Sequence, residues 1–125
     1  MILLLDTNAL IRWFVNDGSL RPEADGAIRS PMNEVIVSAA TIWEVELKRA
    51  NGRLTAPDNI LERIATSGFA SIGIDAADAV AAARLPRHHA DPFDRMLIAQ
   101  AQRIGAVVVT RDAAFVDYDV DVLPA

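Results

Sequence analysis

Four short, nearly continuous apolar runs constrain this chain more than any other feature: residues 1–5 (MILLL), 35–37 (VIV), 69–74 and 106–110 (AVVVT). Runs of this length without a polar alternate fit strands buried on both faces, and such strands belong to parallel sheets covered by helices. The intervals carry helical signals. Residues 7–15 follow the first run, and 22–30 begin with Pro22 at a first helical position. Ser38 caps a helix that reaches Asn51 and stops at Gly52, and a helix over 57–67 stops at Gly68. Asp75 caps a helix to Leu85, closed by Pro86, and Asp91-Pro92 opens one that ends at Gly105. Residues 118–123 alternate Tyr118, Val120 and Val122 with Asp119 and Asp121, which predicts an edge strand with one wet face. The fold class expected is α/β, a three-layer α/β/α sandwich with a mainly parallel central sheet of four to five strands. At 125 residues, all of it belongs to a single domain spanning 1–125.

Composition narrows the chemistry. There is no Cys, which removes disulfide scaffolds, thiolate metal sites and cysteine nucleophiles. The segment MILLLD has no basic start, and no apolar stretch approaches the ~20 residues of a membrane span, so a soluble, cytoplasmic protein with no membrane contact is expected. The net charge of −5 argues against a broad basic face for nucleic acid. It leaves open nucleic acid held through metal ions. No phosphate-binding glycine loop, dinucleotide fingerprint or nucleophile-elbow serine is present. Asp6-Thr7-Asn8 superficially resembles the start of a haloacid-dehalogenase phosphatase, yet Asn8 replaces the second aspartate. A receiver domain needs paired acids after its first strand, and only Asp6 is there.

In a parallel sheet, ligands bind beyond the carboxyl ends of the strands, and two aspartates sit there. Asp6 ends the first run and opens a helix. Asp112 follows AVVVT and precedes a short turn over 113–116. Each reads equally as a helix cap. Asp94 is more informative: at ~100° per residue it lies about 60° from Leu97 and about 40° from Ile98, so its carboxylate leans toward the buried stripe. A charge placed there needs a partner; its own helix start, capped by Asp91, is one. Glu44 shares a stripe with Thr41, Lys48 and Asn51. An i, i+4 ion pair with Lys48 on a solvated face explains it; so does a second strand lying beside the first, which would carry Glu44 over Asp6. If Asp6, Glu44, Asp94 and Asp112 converge, they require a cation, and an all-oxygen set suits Mg²⁺ or Mn²⁺. Adjacent His88 and His89 lack ligand spacing and read as surface or phosphate-contacting residues.

Four segments, LLLDTNALIRWF at 3–14, VSAATIWEVELKRANGRL at 37–54, HHADPFDRMLIAQA at 88–101 and VVVTRDAAF at 107–115, together resemble the PIN-domain nucleases, most specifically the VapC-type ribonuclease toxins of bacterial toxin–antitoxin systems. The resemblance implies a carboxylate quartet for Mg²⁺ or Mn²⁺ at Asp6, Glu44, Asp94 and Asp112, with Thr7, Asn8 and Thr110 orienting those ligands. It selects Asp94 over Asp91, because Asp94 keeps the family's spacing to Ala101. It implies a metal-dependent endoribonuclease leaving 5′-phosphate and 3′-hydroxyl ends, and a PIN-like homodimer. The implied partners are an RNA substrate and a VapB-like antitoxin, with DNA bound only through the antitoxin. Ala114 stands where many PIN domains carry a further acid, which removes one carboxylate from a second metal position.

For RNA, the cations near these motifs are Arg12, Lys48, Arg49, Arg53, Arg87, Arg95 and Arg111. Trp13 and Trp43 could stack on bases or serve the core or an interface. A housekeeping PIN nuclease of RNA processing and a non-catalytic interaction module of the same fold are the competing readings.

Overall fold

The computed structural model describes residues 1–125. Five strands form one sheet: β1 (Ile2–Leu5), β2 (Glu34–Ser38), β3 (Ala70–Ile72), β4 (Val107–Thr110) and β5 (Asp121–Pro124). Their spatial order is β3-β2-β1-β4-β5 and every pairing is parallel. The helices are α1 (Thr7–Val15), α2 (Pro22–Arg29), α3 (Ala39–Ala50), α4 (Ile60–Thr66), α5 (Ala76–Arg84) and α6 (Pro92–Ile104), with a 3₁₀ turn over Ala113–Asp117. None is long and apolar enough to cross a membrane.

The sheet divides the apolar side chains by strand alternation. Leu3 and Leu5 face a core built with Leu10, Phe14, Val37, Val45, Ile60 and Ile64. Leu4 faces the opposite core, with Leu97, Ile98, Val108 and Phe115. These are the two covered faces that the continuous apolar runs demand. The order in which strands are added reverses about β1, since β2 and β3 lie on one side of it and β4 and β5 on the other, with every strand running in the same direction. Such a switch point opens a crevice beyond the strand ends, and Asp6 is the first residue past β1.

Three expectations change. β3 is an edge strand whose Ala70 and Ser71 are exposed, so the third apolar run is not buried on both faces; its bulky residue, Phe69, is buried just before the strand. Tyr118 closes the 3₁₀ turn and is buried, and β5 begins at Asp121; Val122 and Leu123 then pack on opposite cores rather than leaving one face wet. The fourth helix starts at Ile60, three residues later than the proline suggests, because Ile60 and Ile64 supply its buried stripe.

An ion pair between a buried carboxylate and a partly exposed arginine joins two of the helices. Asp78, 1% exposed, forms a capping box with Asp75 and receives Arg103 Nε and Nη2 at 2.6 and 3.0 Å, joining α5 to α6. Hydrogen bonding from Arg103 holds the Asp78 carboxyl below its ordinary value. Its contribution is therefore present above the unfolded-state value near 4 and is lost as pH falls through the folded one. Asp78→Ala is expected to cost about 1–2 kcal/mol in urea denaturation at pH 7, through the lost cap and a charge-assisted hydrogen bond, with the gap to wild type narrowing below pH 4.

Candidate active site at the carboxyl edge of the sheet

Asp6 is 5% exposed, and each of its oxygens has a partner: Oδ1 accepts from the Ala9 amide at 2.8 Å and Oδ2 from the Thr110 hydroxyl at 2.5 Å. The cap reading is thus correct but incomplete, since the second bond crosses from β1 to β4. Thr110 Oγ also accepts from the Asp112 amide at 3.0 Å. A single hydroxyl therefore ties Asp6 to the turn that carries Asp112. Burial raises the Asp6 pKa, opposed by the two hydrogen bonds and reinforced by the charges of Glu44 and Asp112.

Glu44 is also 5% exposed, so the solvated-face reading fails. The pairing of β2 with β1 carries α3 over the start of α1, where the Thr7 hydroxyl donates to Glu44 Oε1. The ion pair with Lys48 does form, at 2.8 Å to Oε2. Asn8, the third residue expected to orient ligands, is exposed and its side chain makes no hydrogen bond.

Asp94 lies in the first turn of α6, behind Asp91, which caps the helix through the Phe93 and Asp94 amides. The Asp94 side chain is 18% exposed. Burial first, then the charge of Asp91, raises its pKa to about 7; neighbouring His89 lowers it, and Asp6 and Glu44 raise it further. Asp112 is more open and moves the other way: the Ala114 amide, which it accepts as cap of the 3₁₀ turn, holds its carboxyl low, helped by His89.

His89 is the residue that sequence reasoning missed. Its Nε2 lies 2.9 Å from Asp94 Oδ2 and 2.9 Å from Asp112 Oδ2, so three groups from two elements and a loop meet at one point. Spacing along the chain gave no sign of it, because its partners are brought by α6 and by the turn after β4. His88 instead packs edge-on against Tyr118.

The structure gives several candidate RNA contacts other work. Arg95 is a structural clamp: its two Nη atoms donate to the carbonyls of Ala82, Ala83, Leu85, Pro86 and His89, satisfying the end of α5 and the loop after it. Arg111 ties Ser19 to Ala125 by carbonyl contacts, and Arg49 pairs with Glu46. Arg12, Arg53 and Arg87 make no side-chain hydrogen bond or ion pair. Arg87 lines, with His89, a cleft of about 330 Å³ beside the acids. A second cleft, about 460 Å³, reaches Asp112 from the other side and is lined by Arg21, a cation the sequence reading passed over. Trp13 serves the core, bonding Ser67 and packing on Phe69 under Arg29. Trp43 remains 61% exposed, edge-on to Phe93.

The carboxylates fit a hard cation. The charges of Glu44 and Asp112 raise the Asp6 carboxyl, those of Asp6 and Glu44 raise Asp94, and no Lys or Arg pairs with Asp6, Asp94 or Asp112. Acids clustered past the switch point of a parallel α/β/α sandwich form the kind of site that metal-dependent hydrolases use. The family model of the PIN domain matches residues 3–121, and the chain belongs to that family, whose members are generally nucleases using divalent metals. Among solved structures, the chain is similar to a toxin–antitoxin complex from Klebsiella pneumoniae, at 26% identity and TM-score 0.66, covering 98% of this chain and 96% of that one. It is also similar to DNA-bound VapBC from Salmonella typhimurium, at 21% identity and TM-score 0.66 over 98% and 97% of the chains. VapBC2 from Rickettsia felis bound to a promoter DNA fragment superposes with TM-score 0.71 at 14% identity, covering 98% of each. Comparison with curated proteins returns no match.

The raised Asp94 carboxyl predicts a pH signature. Ionising it is harder in the folded than in the unfolded chain, so metal-free stability falls as pH rises from 3.8 toward about 7. Asp94→Asn removes that penalty. The variant is expected to be more stable than metal-free wild type at pH 8, by on the order of 2–4 kcal/mol, and no more stable near pH 4; a variant destabilised at both would make Asp94 an ordinary structural residue.

Proposed function

We propose that this chain is a divalent-metal-dependent endoribonuclease and the toxin component of a type II toxin–antitoxin pair acting in the cytoplasm. The observation that carries the reading is the meeting of Asp94 and Asp112 beside buried Asp6 and Glu44 at the switch point of the sheet. Asp6, Asp94 and Asp112 would hold Mg²⁺ or Mn²⁺. When bound, the ion makes a coordinated water more acidic and offsets the charge of the phosphodiester.

The chain's own residues do the rest. Thr110 keeps Asp6 Oδ2 aimed across the β1–β4 boundary and holds the Asp112 turn against it. Glu44, bonded by the Thr7 hydroxyl and paired with Lys48, would orient the attacking water or assist as a ligand. Arg87 and Arg21, in the clefts on either side of the acids, would meet phosphates flanking the scissile bond. Exposed Trp43 offers a stacking face for an unpaired base. The similar complexes, described as toxin–antitoxin and as DNA-bound, support an antitoxin partner; in this proposal it is VapB-like, occupies the acidic cleft and alone carries the DNA contact, and the toxin is a homodimer.

Thermal melting tests the metal and an RNA assay tests the chemistry. With Mn²⁺ at ten times Kd, wild type is expected to gain ~1.4 kcal/mol, on the order of 3–8 °C, and Asp94→Asn to gain nothing. Cleavage of a structured RNA should stop with a chelator and fall on the order of 10³-fold in Asp94→Asn. Undiminished cleavage by that variant would defeat the assignment. Growth arrest on expression, relieved by a co-expressed antitoxin, separates a toxin from a housekeeping nuclease, which would cut RNA without arresting growth.

A further inference from the structure

His89 is held from every side. Tyr118 Oη accepts from the His88 and His89 amides at 3.1 and 2.8 Å and donates to the Pro86 carbonyl, while Arg95 Nη1 donates to the His89 carbonyl at 3.2 Å. The ring stands perpendicular to Phe115 with centroids 6.1 Å apart. The Asp91 amide donates to Nδ1 at 3.2 Å. This last bond decides the tautomer. An Nδ1 that accepts a backbone N–H carries no proton, so the neutral ring bears its hydrogen on Nε2. Nε2 donates to Asp112 Oδ2 at 2.9 Å and lies the same distance from Asp94 Oδ2.

We infer that His89 is a positioning residue: its Nε2–H fixes the carboxylates of Asp94 and Asp112 relative to one another, and the Asp91 amide keeps it from serving as a metal ligand. A ligating Nε2 would need its lone pair free and the proton on Nδ1, facing the Asp91 N–H head-on. The geometry resembles carboxylate–histidine pairing behind a metal, with the roles exchanged. Here the histidine steers the carboxylates, in place of a carboxylate steering a ligating histidine. Asp112 benefits most. Its Oδ1 is taken by the Ala114 amide and its Oδ2 by His89, so a partly exposed side chain has one orientation before any ion arrives.

This inference rests on the proposed metal site, and its test separates the two. The ring nitrogens of His89 are first read by ¹⁵N–¹H NMR, metal-free and then saturated with diamagnetic Mg²⁺. The expected result is the Nε2–H tautomer in both states; an Nδ1–H tautomer, or conversion to it on adding Mg²⁺, would overturn the inference in favour of a ligating histidine. Calorimetric titration with Mn²⁺ then compares wild type, His89→Ala and His89→Gln, whose amide can place an N–H near the position of Nε2. His89→Ala is expected to weaken Mn²⁺ binding about 10–100-fold, and His89→Gln to recover most of that loss. Equal binding by His89→Ala and wild type, or equal loss in both variants, defeats the positioning role. A wild type that binds neither ion overturns the nuclease reading instead, and the tautomer spectrum then still decides the hydrogen-bond assignment by itself.

Discussion

The Thr110 hydroxyl is the contact on which the rest of the site depends. It donates to Asp6 and accepts from the Asp112 amide, so one buried group joins the end of β1, the end of β4 and the turn beyond. A carboxylate as buried as Asp6 is costly unless its oxygens are hydrogen-bonded. The Thr110 hydroxyl and the Ala9 amide, at the start of α1, each offset part of that cost, and the Asp6 carboxyl still stands above its ordinary value. The Thr110 contribution exists only because β4 pairs with β1 in parallel register, Leu5 opposite Val109. Sheet topology and site electrostatics are thus the same constraint seen at two scales.

From that pivot the acids diverge. Asp112, served by a backbone amide and by His89, is held acidic, while Asp94, more enclosed and faced by Asp91, Asp6 and Glu44, is pushed up to about 7. Carboxylates in one crevice whose environments separate their pKa values mark functional sites more often than structural ones. A divalent cation is the species that would stabilise all of them in the charged form. The arginines follow the same economy. Arg95, Arg103 and Arg111 are occupied by the chain's own carbonyls and by Asp78, so an acidic protein with net charge −5 keeps few free cations beside its crevice. Under the proposed function, contact with a polyanion would fall to Arg87, Arg21 and a bound ion.

Much of this was legible in the chain. The apolar runs marked four of the five strands and the parallel sheet; for β1, β2 and β4 the reason is that a strand covered on both faces cannot alternate, whereas β3 lies exposed at the edge. Asp75, Asp91 and Gly105 marked helix ends by capping chemistry alone, and the lean of Asp94 toward Leu97 and Ile98 followed from helical periodicity. Local rules were weaker at the edges of the sheet. Phe69 and Tyr118 read as strand residues by hydrophobicity, yet each is buried by packing outside a strand.

What sequence alone determined is whatever depends on neighbours in the chain: element type, caps, the Glu44–Lys48 pair and the turn that Asp112 opens. Tertiary structure decided the rest, because it depends on which strand lies beside which. The burial of Glu44 follows from β2 flanking β1, and the diversion of Arg95 from RNA to carbonyls follows from α5 ending against α6. The placing of His89 between Asp94 and Asp112 belongs to the same class. Its partners lie 5 and 23 residues away, at distances for which neither helical nor strand periodicity gives a rule, and only the packing of α6 against β4 brings them within 2.9 Å of one nitrogen.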